Sequence, residues 1–576
     1  MDWLSGRLRE FSFFRALDEH SIRRFSERGS WFSLAGGSEL FRQGSRSNTL
    51  FFVLSGRLIV VRNANAGEDV VGYVRAGEPV GEMSLLSGEP HSASVYALRD
   101  TEIVSLAGDE VEDIMERDAD LALALARSVL FRARHPQASY LRSAPRVFAL
   151  IATSPSIDIE ARAREIAKII EGLGLSVRRL GEADAELTPG AFEELESSCD
   201  VVLLATRVGD TFLYRFTLRH ADRFFVFARR DARPPRPFPL TLDANSPAKK
   251  FRLVDLVMLH EGSVAAAVRD WSDAVGASRV FHWADEADAA RIARAIAGKT
   301  VGLVLSGGGA RAYAHIGAIK ALREAGVPID FIAGASMGAI VGACAAMGWS
   351  DEGIERRIRE SFVDSNPLGD HVLPVVALTR GKLVEQRLEK HFGDTLIEEM
   401  KTPFLCVSSE LTAGTVFVHR EGLVRRALRA SISIPGILPP VAVADRLYVD
   451  GAVVDNFPTD LMGETHRGIT IGVDVARKAT ISAEDFLNPP GFVQWIWRNG
   501  FKQAPPIVTL LMRSATARVD LAPKGRAPDI LITPDAPGVE LRDWKKYDAA
   551  VEDGYRETKR AIAEHWALLR PLVRGA

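Results

Sequence analysis

The sequence predicts a multidomain chain with an N-terminal β jelly-roll module, a middle α/β domain with a parallel sheet, and a C-terminal α/β domain. The chain has 576 residues, which at about 150 residues per domain gives three or four domains. Residues 1–138 contain short apolar runs separated by glycine-rich turns, which is typical of an all-β barrel or jelly roll. Apolar runs alternate with helical patterns over 139–297 and again over 298–576, which indicates parallel sheets.

Composition and charge exclude several classes of protein. The 72 Lys and Arg residues and 75 Asp and Glu residues give a net charge of −3, whereas a dedicated nucleic-acid binder usually shows a basic surplus. Three scattered cysteines are too few for a disulfide framework or a zinc site. The N-terminus lacks an apolar segment of signal-peptide length, so a cytoplasmic location is predicted.

A glycine-rich loop follows the first apolar strand of the C-terminal domain. It matches the G-x-G-x-x-A dinucleotide fingerprint, but Asp330 precedes the second strand and lies at the wrong end of the sheet to hold a ribose. The other interpretation is an oxyanion hole, in which the amides of Gly307, Gly308 and Gly309 converge because no Cβ blocks the turn. Arg311 either fixes this loop and adds charge, or forms an ion pair at the helix start.

Ser336 is the candidate nucleophile. Residues 334–338 form G-x-S-x-G between a predicted strand and a predicted helix, where small neighbours permit a sharp turn that exposes the hydroxyl. The uncharged run 331–349 is long enough to suggest a membrane span. A span would place the turn inside lipid, where irregular backbone is costly, so we predict a strand, a turn and a buried helix.

Two arrangements compete for the base that activates this serine. The first is a Ser–Asp–His triad, for which only His466 and His565 follow the candidate acid. The second is a serine–aspartate dyad with Asp450, which directly follows an apolar strand and precedes Gly451. A side chain at a strand end on a glycine-assisted turn is well placed for catalysis.

These motifs together resemble the signatures of patatin-like phospholipases. The resemblance rests on residues 307–311, 334–338 and 450–452, and is extended by residues 431–436 and 456–458. It implies a Ser336–Asp450 dyad, an oxyanion hole formed by the glycine loop, no catalytic histidine and no metal. The C-terminal domain would then be a patatin-like hydrolase, with one departure at Ala312, where the family usually has glycine.

The N-terminal module resembles a cyclic-nucleotide-binding domain through residues 80–86 and 90–95. The resemblance implies that Glu82 would bind a ribose hydroxyl, but the phosphate-pairing arginine is replaced by His91. A neutral imidazole lacks the two-pronged donor of a guanidinium. We expect the fold of a cyclic-nucleotide-binding domain and no required cofactor. Regulation by a bound cyclic nucleotide is the alternative.

The module and the lead-in 288–298 together resemble the neuropathy target esterase branch of lysophospholipases. This resemblance implies a serine esterase that acts on carboxyl esters of phospholipids or lysophospholipids and is regulated by the N-terminal module. The alternative is a lipid- or nucleotide-sensing protein with little hydrolase activity, against which the intact Ser336 and Asp450 argue. Residues 492–502 mix aromatic and basic side chains, which suggests either peripheral membrane contact or a helix packed on the core.

Overall fold

The computed structural model describes residues 3–64, 67–134, 145–184, 189–235, 238, 240, 253–260, 268–373, 375–476, 491, 526–536, 538–540 and 543–573. These residues divide into two compact units, Met1–Ser278 and Arg279–Ala576. The domain boundaries proposed near residues 138 and 297 stay predictions. The segment 492–502, for which either membrane contact or a helix packed on the core was predicted, lies outside the described residues.

The N-terminal part of the first unit is the predicted jelly roll. Two antiparallel four-stranded sheets have the strand orders β1-β8-β3-β6 and β2-β7-β4-β5. The strands are β1 (Ser30–Leu34), β2 (Glu39–Phe41), β3 (Thr49–Ser55), β4 (Arg57–Ala64), β5 (Gly67–Arg75), β6 (Pro79–Val80), β7 (Ser94–Ala97) and β8 (Thr101–Ala107). The accompanying helices are Trp3–Glu10, Glu19–Arg28, Glu82–Ser87, Gly108–Arg117 and Ala119–Arg134.

Alternation along β3 explains how this module builds two cores. Phe52 and Leu54 point to one face of their sheet and pack with the flanking helices, where the rings of Phe14 and Phe52 lie 4.4 Å apart. Val53 points to the other face and packs between the two sheets with Leu58. Successive side chains of a strand face opposite sides, so one strand serves both cores.

The rest of the first unit contains the predicted parallel sheet, with strands in the order β10-β11-β9-β12-β13. They are β9 (Val147–Ala152), β10 (Val177–Leu180), β11 (Val201–Arg207), β12 (Arg223–Arg229) and β13 (Leu253–Leu259). The helices are Ile159–Gly172, Pro189–Ser197, Phe212–His220 and Val268–Val275. Every residue of β9 is buried, as expected of a parallel strand covered on both faces.

A buried charge cluster joins the jelly roll to the parallel sheet within the first unit. The Asp222 carboxylate lies 3.4 Å from Arg57 and 3.8 Å from Arg99, and accepts a hydrogen bond from the Arg146 amide. Arg99 also pairs with Glu196 at 2.8 Å. Burial alone would raise the pKa of Asp222, but the two guanidinium groups and the backbone amides outweigh it and hold the pKa below its usual value.

The second unit is built on an eight-stranded mixed sheet in the order β19-β20-β17-β16-β15-β21-β22, with β18 paired to β17. Strands β17, β16, β15, β21 and β22 are parallel, whereas β18 and β20 run antiparallel to β17. The strands of this sheet are β15 (Thr300–Leu305), β16 (Phe331–Ala335), β17 (Phe404–Glu410), β18 (Thr415–His419), β19 (Val441–Val443), β20 (Arg446–Asp450), β21 (Gly468–Val473) and β22 (Ile530–Ile532). The unit also contains β14 (Arg279–Trp283), which lies outside this sheet.

Helices cover this sheet and supply its hydrophobic core. The α-helices are Glu286–Ala297, Ala314–Glu324, Ser336–Ala346, Asp351–Ile358, Lys382–Phe392, Val424–Ser431, Thr459–Thr465, Tyr547–Glu564 and Trp566–Leu569, and a π-helical turn spans Arg359–Val363. Short 3₁₀ turns in the chain are Phe14–Ala16, Glu182–Asp184, Gly309–Tyr313, Ile397–Glu399, Gly451–Val453 and Arg570–Leu572.

The uncharged run 331–349 forms strand β16 and the fully buried helix Ser336–Ala346, as predicted. Gly342 permits this helix to lie close to the sheet, because a Cβ there would be 3.0 Å from the Ile332 side chain. Within the described part of the chain, no helix combines the length and apolar character needed to cross a bilayer.

We expect Asp222→Ala to destabilise the first unit by about 3–5 kcal/mol, because it leaves buried guanidinium groups without their carboxylate. Chemical denaturation of the full chain measures this as a shift of the transition that reports on the jelly roll. The matched control is Asp210→Ala, which removes a surface pair whose side chains are 57% and 89% exposed. The control should change stability by less than about 1 kcal/mol, and equal effects of the two variants would contradict the structural role of the cluster.

Candidate active site

Ser336 stands at a strained turn between β16 and the helix Ser336–Ala346. Its φ of +51° lies in the left-handed region, which non-glycine residues rarely adopt. The glycines of the motif make this turn fit. A Cβ on Gly334 would lie 2.8 Å from Ala339 Cα, and one on Gly338 would lie 2.4 Å from the Ser306 carbonyl oxygen. Both positions therefore exclude side chains, and the strained serine is held where sharp turns present nucleophiles.

Ser336 and Asp450 are brought together at the ends of β16 and β20, the two strands that flank β17. The Ser336 hydroxyl donates a hydrogen bond of 2.6 Å to Oδ2 of Asp450, the last residue of β20. Oδ1 of Asp450 accepts a 2.9 Å hydrogen bond from the Ala452 amide. Burial raises the pKa of Asp450 to about 7, although both hydrogen bonds oppose the shift. This carboxyl group can therefore gain or lose a proton near neutral pH.

Three further serines position the pair and were not among the predicted site residues. Ser431 Oγ accepts a 3.0 Å hydrogen bond from the Ser336 amide. The Ser433 carbonyl accepts a 3.0 Å bond from the Asp450 amide, and Ser409 Oγ donates to the Asp450 carbonyl at 2.9 Å. The only sequence signal for two of them was the run 431–436 that resembles the family.

The glycine loop lies directly against the nucleophile. A Cβ on Gly307 would be 3.0 Å from Ser336 Cβ and 2.5 Å from Asn456 Oδ1, so only glycine fits. Asn456 clamps the loop from both sides: its carbonyl accepts the Gly307 amide at 3.3 Å, and its Nδ2 donates to the Gly307 carbonyl at 3.2 Å. The Gly307 amide is thus already occupied.

The next two amides of the loop have no such partner. Within the described residues, neither Gly308 nor Gly309 donates its amide to an acceptor. Gly309 has a φ of +56°, and a Cβ on Gly308 would lie 2.5 Å from Val475 Cγ2. Among the described residues, the loop therefore has two backbone donors without an acceptor, at the start of the turn Gly309–Tyr313.

Arg311 makes the contacts of a residue that fixes the loop. Its Nε donates to the Val539 carbonyl at 3.0 Å, and its Nη2 lies 3.5 Å from Glu540. Its guanidinium is engaged with this distant segment, so Arg311 fixes the position of the glycine loop.

The histidines that a triad would need make other contacts. His466 Nδ1 lies 2.8 Å from Thr300 Oγ1, and His565 Nδ1 lies 3.0 Å from the Ala561 carbonyl. Over the described ranges, no histidine hydrogen-bonds to Ser336 or Asp450.

The dinucleotide interpretation lacks its acid. Asp330 is buried in a two-pronged ion pair with Arg294, at 2.6 and 2.9 Å, and accepts the Val301 amide. It precedes β16 and lies at the opposite end of the sheet from the glycine loop.

An apolar cavity runs beside the nucleophile helix. Its enclosed volume is about 30 Å³, and the wider space of about 420 Å³ around it includes open solvent. Ile340 and Cys344, one and two turns after Ser336 on the same helix face, form one wall. The side chains that complete it come mainly from residues 349–392 and include Trp349, Leu388 and Phe392.

The segment of the N-terminal module that resembles a cyclic-nucleotide site contains the acidic Glu82 but has His91 in place of the arginine. Glu82 is buried at the start of a short helix after Gly81. The His91 ring stacks on Phe41 with centroids 3.8 Å apart, and burial lowers the pKa of His91. An imidazole in that setting is neutral at pH 7.

The comparisons with known proteins agree with this architecture. Residues 303–462 match the family described as patatin-like phospholipase, and residues 31–118 match the cyclic nucleotide-binding domain. The jelly roll is also similar to the crystal structure of a putative cyclic nucleotide-binding protein from Geobacter metallireducens. That similarity has a TM-score of 0.21 at 23% identity and covers 23% of this chain and 99% of that one.

Relatives cover most of the chain. Human patatin-like phospholipase domain-containing protein 6 is 25% identical over 79% of this chain and 38% of its own length. Lysophospholipase NTE1 of Cryptococcus neoformans is 25% identical over 79% of this chain and 33% of its own length. An uncharacterized NTE family protein of Mycobacterium tuberculosis is 30% identical over 98% of this chain and 97% of its own length. With a relative matched from end to end and both domain types present, the chain belongs to the NTE family of patatin-like proteins.

Proposed function

We propose that this chain is a serine esterase that hydrolyses carboxyl ester bonds of phospholipids or lysophospholipids. The observation that carries the proposal is the 2.6 Å hydrogen bond from Ser336 to a buried aspartate at a strand end. The match to patatin-like phospholipases and the relative named lysophospholipase NTE1 support the lipid substrate. We also propose that the chain acts in the cytoplasm, in peripheral contact with membranes.

The proposed reaction has two halves that use the same pair. Ser336 Oγ attacks the acyl carbonyl carbon while Asp450 Oδ2 takes the hydroxyl proton, and the amides of Gly308 and Gly309 stabilise the resulting oxyanion. Loss of one such donor typically costs about 3–4 kcal/mol. Collapse of the intermediate breaks the ester bond, Asp450 returns its proton to the departing alcohol, and an acyl-serine remains. Water deprotonated by Asp450 then attacks this ester, and the fatty acid leaves as Ser336 regains its proton.

The cavity beside the nucleophile helix supports an acyl chain as the group transferred to Ser336. The surface that it exposes is mostly apolar, although Arg357, Arg387 and His391 are also among its lining residues, and it lies along the helix that begins at Ser336. A mostly apolar wall of this kind favours contact with an alkyl chain.

The N-terminal module is proposed to regulate the enzyme or its assembly without a cyclic nucleotide. The buried, neutral His91 offers no positive charge to a cyclic phosphate, although Glu82 is retained. The competing function, a sensor with little hydrolase activity, is disfavoured because Ser336 and Asp450 are in hydrogen-bond contact and the glycine loop lies beside them.

We expect Ser336→Ala and Asp450→Asn each to lower kcat for a p-nitrophenyl ester by about 10³-fold or more, because nucleophile and base act as one unit. The matched control is Ser350→Ala, which removes a helix N-cap outside the site and should keep the activity. Mass spectrometry of the products from lysophospholipid tests the lipid assignment. Normal turnover by Asp450→Asn would refute the dyad.

We expect kcat/KM to fall about tenfold per pH unit below about 7, because only ionised Asp450 accepts the proton. The same shift affects stability. The folded pKa lies above that of the unfolded chain, so the stability that Asp450 contributes is present at low pH and lost as pH rises through about 7. Asp450→Asn escapes this loss, and its melting temperature relative to the wild type should rise from pH 5 to pH 8. A constant difference would assign the pH profile to another group.

We expect isothermal titration of the full chain with cyclic AMP or cyclic GMP to give no binding heat. The positive control is His91→Arg, which restores a guanidinium at the position that pairs with phosphate in the domain it resembles. Binding by the wild type with micromolar affinity would contradict the proposal that the module works without nucleotide.

A further inference from the structure

A hairpin of the second unit exposes three aliphatic side chains at its tip. We define the apolar hairpin as residues 371–380, of which position 374 lies outside the described residues. Leu373 is 85% exposed, Val375 is 92% exposed and Val376 is 67% exposed. Single exposed aliphatic residues are common on protein surfaces, but a contiguous exposed group marks an interaction site.

The base of the hairpin is fixed, so the exposure of its tip is not the result of an untethered segment. His371 and Thr379 form an antiparallel bridge, and the Val372 amide donates to the Leu378 carbonyl at 3.0 Å. The Arg380 amide donates to the Asp370 carbonyl at 3.0 Å. A closed base presents the tip as a small convex wedge.

The hairpin is also tied to the segment that holds the catalytic pair. The amides of Leu378 and Thr379 donate to the carbonyls of Gly436 and Ile437, at 2.9 and 3.1 Å. These acceptors follow Ser433 by a few residues, and the Ser433 carbonyl binds the Asp450 amide. The tip therefore projects from the neighbourhood of the active site.

The charges around the hairpin fit the head groups of phospholipids. The sequence from Val372 to Thr379 contains no charged residue. Arg380 and Lys382 follow it directly and are exposed. The half-buried Asp370 carboxylate also lies at this base and accepts the Lys382 amide at 2.7 Å. An aliphatic tip with cations at its base is the pattern that inserts among acyl chains and leaves positive charge at the phosphate level.

We propose that the apolar hairpin inserts into the phospholipid surface from which the enzyme takes its substrate. The proposal rests on the proposed function in so far as the substrate is a lipid ester held in a membrane. A hairpin tip with three exposed aliphatic side chains fits the fluid layer of acyl chains, and its base is hydrogen-bonded to the segment that leads to Ser433.

The test compares binding to vesicles with turnover of a soluble ester. The variant carries Leu373→Ser, Val375→Ser and Val376→Ser, and the matched control carries Leu531→Ser and Leu568→Ser, which are 51% and 45% exposed in the same unit. Both are sedimented as full chains with vesicles of phosphatidylcholine, with and without phosphatidylglycerol. The hairpin variant should partition at least about tenfold more weakly, hydrolyse lipid in vesicles correspondingly more slowly, and keep its activity on a soluble p-nitrophenyl ester.

A probe at the tip gives a second readout that does not need turnover. Val375→Cys can be labelled with an environment-sensitive dye, because Cys199, Cys344 and Cys406 are buried. Vesicles should shift the dye emission to the blue. The proposal would be overturned if the hairpin variant sediments with vesicles as strongly as the wild type. It would also be overturned if the labelled protein sediments with vesicles but its dye emission does not shift.

Two outcomes distinguish insertion into lipid from the proposed esterase function and from a contact between two copies of the chain. Vesicle binding that depends on the hairpin without hydrolysis of any ester would sink the proposed function and leave the docking surface standing. Loss of a dimer in the hairpin variant, with no vesicle binding by the wild type, would assign the tip to a second copy of the chain and overturn the lipid assignment.

Discussion

The left-handed backbone conformation of Ser336 is the constraint on which the packing of the second unit depends. A serine with φ near +51° is unfavourable by roughly 1–2 kcal/mol and persists only where its surroundings determine it. Gly338 lies so close to the Ser306 carbonyl that any side chain would collide, and Ser431 binds the Ser336 amide. Strand β15, the glycine loop and the nucleophile helix must therefore pack as one body around this residue.

Two buried aspartates show how surroundings separate a structural carboxylate from a candidate base. Asp222 is surrounded by Arg57 and Arg99, which outweigh burial and hold its pKa low. Asp450 is equally inaccessible but receives only hydrogen bonds from Ser336 and Ala452, so burial dominates and raises its pKa to about 7. The first arrangement stabilises the fold at neutral pH, whereas the second weakens it and leaves a group able to exchange a proton.

The features that could be predicted from sequence are those encoded by contiguous residues. Strand–turn–helix spacing marks Ser336, and a strand followed by glycine marks Asp450. Contacts across the fold have no such pattern: Ser431 lies 95 residues from Ser336, and Arg311 meets a carbonyl 228 residues away. The aliphatic run 372–378 carries no sequence signal of exposure, and only the tertiary structure shows that its tip is exposed.

The proposed lipid contact and the orientation of the candidate base Asp450 depend on one short segment of chain. The apolar hairpin hydrogen-bonds to Gly436 and Ile437, and three residues before Gly436 the Ser433 carbonyl holds the Asp450 amide. Packed interiors shift as bodies rather than deform continuously, so a displacement of the hairpin base would reach the aspartate through this turn. If the tip inserts into lipid, the membrane brings the substrate close to the enzyme. It also anchors the hairpin, which is hydrogen-bonded to the segment that orients Asp450.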